Sequence, residues 1–203
     1  MIKPQEMKTI SAMKIVLASG SPRRQKLLSE LGYDFEIVTP VVHEENIPGE
    51  SPEDHVKRLS RLKAESVANN HPDSLVVGAD TIVVLEHRIL GKPKSKVEAK
   101  SMLELLSGKT HIVFTGLSMI ISTKDIAKSD YDSTRVTFNK LSPEQINHYV
   151  GSGEPLDKAG AYGIQGMGSF LVDSYEGELD TVIGFPSKLF KKMYEEVRSC
   201  PEL

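Results

Sequence analysis

Apolar and polar positions follow one another in blocks that switch between two periods. Ile15-Val16-Leu17-Ala18 is a short apolar run and predicts a buried strand. It passes through Ser19-Gly20-Ser21 into residues 22–32, where Ser21 suits a helix N-cap, Pro22 the first helical position and Gly32 the stop. Residues 35–38 read as a second strand. Ser51-Pro52-Glu53-Asp54 opens a helix to about Ala68, with cap, proline and first-turn acids in place. Residues 75–85 form a long β-branched stretch, and Ser95-Lys96-Val97-Glu98 has capping-box spacing for a helix ending near Leu106. Strands are predicted at 111–122 and 133–138, antiparallel across a polar turn at 123–130. Ser142-Pro143-Glu144-Gln145 opens another helix. Beyond a glycine-rich segment, residues 170–172 and 181–183 suggest strands, and 186–197 a closing helix. This alternation predicts an α/β fold with a mixed sheet, and no linker-like stretch demands two independent domains. Residues 1–12 are aperiodic and read as a flexible leader, leaving 13–203 as a single domain.

Composition narrows the classes of function. The 203 residues (22.4 kDa) carry 25 Lys and Arg against 28 Asp and Glu, a formal net charge of −3, with a pI near 6.1. Bulk electrostatics therefore give no case for nucleic acid or an anionic membrane as partner. With 39% hydrophobic and 26% charged residues the chain has a globular composition. Cys200 is its one cysteine, which excludes an internal disulfide and any multi-cysteine zinc site and fits a reducing compartment. No apolar run approaches the roughly 20 residues that span a bilayer, and the N-terminus has no secretory-signal core. The expectation is a soluble, cytoplasmic protein.

Several residues stand out chemically. Arg23 and Arg24 fall in the first turn of a helix, where positive charge opposes the dipole; an incoming anion would remove that conflict. Two solvated arginines are the plainer alternative. Asp80, in Gly78-Ala79-Asp80-Thr81, puts a carboxylate inside an apolar strand. Left unpaired it would cost on the order of several kcal/mol, so a cation, hydrogen bonds or an open cleft is expected beside it. Gly78 and Ala79 are expected to leave room there for a ligand; otherwise backbone amides satisfy the acid. Asp80 and Thr81 point to opposite faces of a regular strand, so one ligand reaches both only if the chain bends or Thr81 acts through its backbone. Lys63 shares an apolar helical stripe with Val56, Leu59 and Val67, as a cleft lysine or a snorkelling one. Lys92 lies in a turn past the Asp80 strand, where it could meet phosphate. Glu44 and Glu45 could complete a metal site with Asp80 or simply be surface acids. The glycine-rich segment 154–168 suggests a loop that approaches a ligand closely, Tyr162 stacking on a base and Gln165 reading its edge; a long structural loop is the alternative. There is no P-loop, no Rossmann glycine fingerprint and no His-Glu-x-x-His motif. No histidine pairs visibly with a serine or with Cys200, so triad chemistry has no support.

Taken together, Ser19-Gly20-Ser21-Pro22-Arg23-Arg24, Arg58-Leu59-Ser60-Arg61-Leu62-Lys63-Ala64, Gly78-Ala79-Asp80-Thr81, Gly91-Lys92-Pro93 and residues 154–166 resemble, in order, the signature segments of the Maf family of nucleoside triphosphate pyrophosphatases. The resemblance implies an α/β fold with an elongated mixed sheet, flanking helices and two lobes around a deep cleft, as in inosine-triphosphatase-like proteins. It implies a hydrolase of phosphorus acid anhydrides, cutting a nucleoside triphosphate to monophosphate and pyrophosphate with Mg²⁺ (Mn²⁺ or Co²⁺ as alternatives), often as a homodimer. Residues 157–166 resemble the branch acting on dTTP and UTP, an activity that extends to modified pyrimidine nucleotides. By that likeness Asp80 is catalytic, Arg23, Thr81 and Gln165 discriminate substrate, and Ser19, Arg24, Glu44, Lys63 and Lys92 take other active-site positions. Asp80 and Glu44 would hold the metal. The alternatives are the same chemistry on 7-methyl-GTP, or a nucleotide-binding regulator of cell division with weak hydrolysis. Residues 177–186 depart from the family pattern: the Gly-Pro frame remains, but Glu178 and Asp180 are added.

Overall fold

The computed structural model describes residues 13–45 and 47–200, so the leader expected over residues 1–12 lies outside the described residues. The order is β1 (Ile15–Ala18), α1 (Pro22–Glu30), β2 (Phe35–Ile37), α2 (Pro52–Ala68), β3 (Leu75–Leu85), β4 (Arg88–Leu90), α3 (Lys96–Leu106), β5 (Thr110–Ile121), β6 (Ile126–Phe138), α4 (Pro143–Gly151), β7 (Val172–Glu176), α5 (Leu179–Ile183) and α6 (Ser187–Arg198). The helix punctuation works as its chemistry requires. Ser51 and Ser142 accept from the amides of Asp54 and Gln145, and Ser142 with Gln145 forms a reciprocal capping box. At α3 only half a box forms: Ser95 accepts from the Glu98 amide, while the Glu98 carboxylate takes the Lys94 amide instead.

One seven-stranded mixed sheet runs β2-β1-β3-β5-β6-β7, with β4 hairpinned onto β3. The β2-β1-β3 part is parallel and the rest antiparallel. Because side chains alternate across a strand, β3 and β5 serve two layers. Val76, Ile82, Val84, Phe114 and Ile120 pack under α2, together with Val56, Ala64 and Val67. The opposite face carries two separate cores. Leu75, Val77, Ala79, Leu117 and Met119 meet α1 and α6 through Leu28, Phe190 and Val197. Val83, Leu85, Val113, Val136 and Phe138 meet α3 and α4 through Leu103, Leu106 and Tyr149. These two cores are the two lobes, sharing the long central strands and parting where Thr81 and Thr115 stand opposite each other. Among the described residues no helix is long and apolar enough to cross a membrane.

Three expectations are corrected. The strand expected to start at residue 133 begins at Ile126, so the turn shrinks to Ser122–Lys124 and Asp125, the latter in the left-handed region (φ 52). The first half of β6 reads as loop because mostly polar side chains occupy it, yet its backbone is fully paired with β5. Residues 181–183, expected as a strand, form the helix α5, which stops at Gly184. The strand expected at 170–172 starts only at Val172, after a 3₁₀ segment over Gly166–Leu171. The three-residue strand β4 has no expectation behind it; one short apolar pair in a charged turn carries too little pattern.

Candidate active site

A cleft of about 1100 Å³ opens where the sheet changes direction. The register explains why it lies there. β1 pairs with β3 only as far as Ala18↔Gly78, and β4 joins only from Val83↔Leu90. From Ala79 to Ile82 one edge of β3 is therefore bare, beyond the carboxyl end of β1, the place where open α/β sheets hold ligands. The gap also resolves how Asp80 and Thr81 serve one cavity while facing opposite ways. No bend is needed, because side chains from both faces reach round the bare edge. Ser19, Arg23, Arg24, Glu44, Lys63, Asp80, Thr81, Lys92 and Gln165 all line this cleft.

On the α2 face Asp80 is 5% exposed. Its Oδ1 accepts from Lys63 Nζ at 2.5 Å, and the same ammonium lies 2.8 Å from Glu44 Oε1. Asp80 Oδ2 is buried without a hydrogen-bond partner among the described residues. A buried carboxylate oxygen without a partner is costly unless a ligand meets it. The glycines beside Asp80 have a different task from the one expected. A Cβ on Gly78 would sit 2.2 Å from the Ser60 carbonyl oxygen, and one on Gly116 2.2 Å from that of Val56. Both let the α2 backbone settle onto the sheet, which brings Lys63 to Asp80; neither leaves room for a ligand.

On the other face, Arg24 donates from Nε to the Gly184 carbonyl (2.8 Å), from Nη1 to Ser19 Oγ (3.3 Å) and from Nη2 to Thr81 Oγ1 (3.1 Å). Burial pulls the Arg24 pKa below its ordinary value, and the nearby Asp80 charge opposes that shift. Ser21 takes the N-cap position of α1 with extended backbone, but its side chain makes no capping bond. The first-turn amides are thus left for an anion. Ser19 Oγ also accepts from the Ser21 amide (3.2 Å), so its two lone pairs are used and its proton remains to donate.

The far wall comes from the glycine-rich segment. Arg23 donates to Asp157 Oδ2 at 2.7 Å across 134 residues of sequence. Burial works to raise the Asp157 pKa, but hydrogen bonds from Lys158 and Arg23 outweigh it and hold the carboxyl below its usual range. Lys158 is tied down by the Glu154 carbonyl (2.6 Å) and Asp157 (2.7 Å). The Gly160 amide donates to the Gly91 carbonyl (3.0 Å), setting the Lys92 turn beside this wall. Gln165 is exposed at the cleft.

Two expected contributors behave otherwise. Tyr162 is 5% exposed; its ring packs edge-on against Phe138 and His111, and its hydroxyl meets His111 Nε2 at 2.7 Å. It is a core residue behind the cleft, not a free surface for stacking. Glu45 turns its carboxylate to His43 (3.4 Å), while its carbonyl accepts from Arg58 (2.9 Å). Arg58 also grips Glu50 through two bonds (2.6 and 2.7 Å), and His55 adds a third contact (3.0 Å). Hydrogen bonds from Arg58 hold the Glu50 carboxyl below its usual range. This strut secures the loop that delivers Glu44. The sequence alone assigns no role to it, nor to Asp157 or Lys158, because each acts through a partner that only the folded chain or a local turn brings to it.

The orphaned Asp80 oxygen also tests the site for a divalent ion. Among the described residues no three His, Cys, Asp or Glu side chains gather. Of the four carboxylates that line the cleft, Asp80 and Glu44 come together at Lys63 Nζ, and Asp80 keeps one unused oxygen. That donor set fits Mg²⁺, which keeps several waters and is commonly bound by one or two carboxylates plus substrate phosphates.

A family model described as Maf-like protein matches residues 14–197. A dTTP/UTP pyrophosphatase from Bacillus anthracis (strain CDC 684 / NRRL 3495) is 52% identical over 181 residues, covering 89% of this chain and 94% of its own. One from Bacillus cereus (strain AH820) is 51% identical over the same shares. Among solved structures, protein VC0702 from Vibrio cholerae aligns with 70% of this chain and 74% of its own at TM-score 0.33 and 13% identity, too slight a likeness to bear on function.

Proposed function

The chain belongs to the Maf family, and on that premise we propose that it hydrolyses dTTP and UTP, with modified pyrimidine nucleotides, to the monophosphate and pyrophosphate. The observation that carries the reading is the buried, unpartnered oxygen of Asp80, a residue that lines the cleft together with Arg23, Arg24, Lys63 and Lys92. The phosphate chain lies between the amides and arginines of the α1 N-terminus and the two lysines, with Ser19 donating its remaining proton. Lys63 fixes Asp80 through Oδ1 and leaves Oδ2 as the acceptor for a proton from water. That water attacks the α-phosphorus in line with the departing pyrophosphate, whose growing charge the arginines and lysines neutralise. A divalent ion, Mg²⁺ with Mn²⁺ or Co²⁺ as alternatives, would be held by Asp80 and Glu44 and supply further charge neutralisation. Gln165 reads the base edge, and Arg23 and Thr81 help to discriminate substrate. One domain over residues 13–203, acting as a homodimer in the cytoplasm, completes the reading; a single cysteine suits a reducing compartment.

The test is pyrophosphate release with Mg²⁺ from a panel of canonical and modified triphosphates. Highest kcat/KM on dTTP and UTP is expected. Preference for 7-methyl-GTP would overturn the base assignment, and tight binding without turnover would overturn the enzyme reading in favour of a regulator.

A further inference from the structure

Thr81, Thr115 and Asp132 stand directly opposite one another on β3, β5 and β6, on the face away from α2. On β3 and β5 they interrupt an apolar surface, with Ala79 and Leu117 in one core and Val83 and Val113 in the other. Thr115 is fully buried and does not line the cleft. A polar row at such a seam needs partners, and the way it finds them fixes every proton. Thr115 Oγ1 donates to the Thr181 carbonyl at 2.8 Å. A hydroxyl has one proton, so in its 3.0 Å contact with Thr81 Oγ1 the Thr115 oxygen accepts and Thr81 donates. With its proton spent, Thr81 meets Arg24 Nη2 purely as an acceptor, which is what a guanidinium requires. The resulting series, Arg24 to Thr81 to Thr115 to the Thr181 carbonyl, runs one way, each bond polarising the next.

Its far end is anchored. Thr181 Oγ1 donates to Asp132, and Thr134 Oγ1 donates to the Glu178 carbonyl (2.8 Å), clamping α5 over the seam. The same helix ends at Gly184, whose carbonyl takes Arg24 Nε. Gly184 has φ +111, and a side chain there would press to 3.1 Å of Thr81 Oγ1. Of the five N–H groups of Arg24, the Gly184, Ser19 and Thr81 bonds use three. Two remain, one on each terminal nitrogen, which is a fork for a phosphate.

Resting on the triphosphate site proposed above, we infer that Thr115 is a positioning residue for phosphate binding: without touching substrate, it directs the Thr81 hydroxyl and through it the plane of Arg24. The experiment compares the wild type with Thr115→Val, Thr115→Ser and Thr115→Cys. It measures kcat and KM for dTTP and UTP with Mg²⁺, and Kd for inorganic tripolyphosphate by calorimetry. Thr115→Val is expected to raise KM and the tripolyphosphate Kd about tenfold, the size of one charged hydrogen bond, while kcat changes far less and Thr115→Ser stays at wild-type values. A folded Thr115→Val protein with unchanged KM and Kd overturns the inference, as does a Thr115→Ser protein equally impaired. If Thr115→Val does not fold, Thr115→Cys decides, since cysteine keeps the small size but is a weak donor; KM and Kd equal to those of Thr115→Ser overturn the inference, and raised values uphold it. A wild type that turns over neither nucleotide defeats the proposed function, while the tripolyphosphate ratios still decide Thr115.

Discussion

The two faces of β3 at Asp80 and Thr81 solve opposite problems one residue apart. On the α2 face, Asp80 has a single strong partner, Lys63, and keeps one buried oxygen unpaired. On the opposite face, Thr81 belongs to a series of bonds in which each hydroxyl and each fixed guanidinium donor is accounted for. An unsatisfied group is available to react, whereas a satisfied network is a fixture that holds charge in place. The difference assigns chemistry to one face and grip to the other.

The strongest way to break that assignment is Asp80→Asn. Turnover should fall about 1000-fold, within the range for loss of a general base, while triphosphate binding persists. Equal loss of binding and turnover would erase the distinction between the faces. Gly78→Ala probes how the α2 face is built, since its Cβ would meet a backbone oxygen at 2.2 Å. A loss of about 3 kcal/mol in urea unfolding is expected, because a helix backbone cannot yield as a flexible side chain can. The grip face has its own titratable member, His111, whose buried ring has its pKa lowered by desolvation to about 4. Its folded value lies below the unfolded one, so its contribution is intact above about pH 6.5 and is lost as pH falls towards 4. At pH 5 this amounts to about 2 kcal/mol. The difference in stability between pH 7 and pH 5 should therefore shrink by that amount in His111→Phe, and an unshrunken difference would relocate the acid sensitivity to carboxylates elsewhere.

What could be read from the sequence divides along the same line. The helices carry their own signals, such as Ser51-Pro52 and Ser142-Pro143, and these act locally, so they appear where expected. Asp80 was conspicuous because an acid in an apolar strand breaks a pattern, and Lys63 because it breaks a helical stripe. The hydroxyl series was not legible, since Thr115 in a strand is ordinary until register sets it opposite Thr81. The helix at α5 is hidden in the sequence for a related reason. Thr181-Val182-Ile183 has strand propensity, but the bonds to Asp132 and Thr115 and the stop at Gly184 override it. Tyr162 misleads because an aromatic among glycines resembles a stacking surface, whereas its packing against Phe138 and His111 commits the ring to the core.

The most direct measurement is a crystal structure of the wild type with Mg²⁺ and the non-hydrolysable analogue α,β-imido-dTTP, read as the position of the α-phosphorus relative to Asp80. It should lie opposite Oδ2 at the reach of one bridging water or ion, with the outer phosphates among Arg23, Arg24 and the start of α1. A triphosphate seated in the cleft with its α-phosphorus remote from Asp80, and that oxygen still unmet, would contradict the division of labour between the two faces.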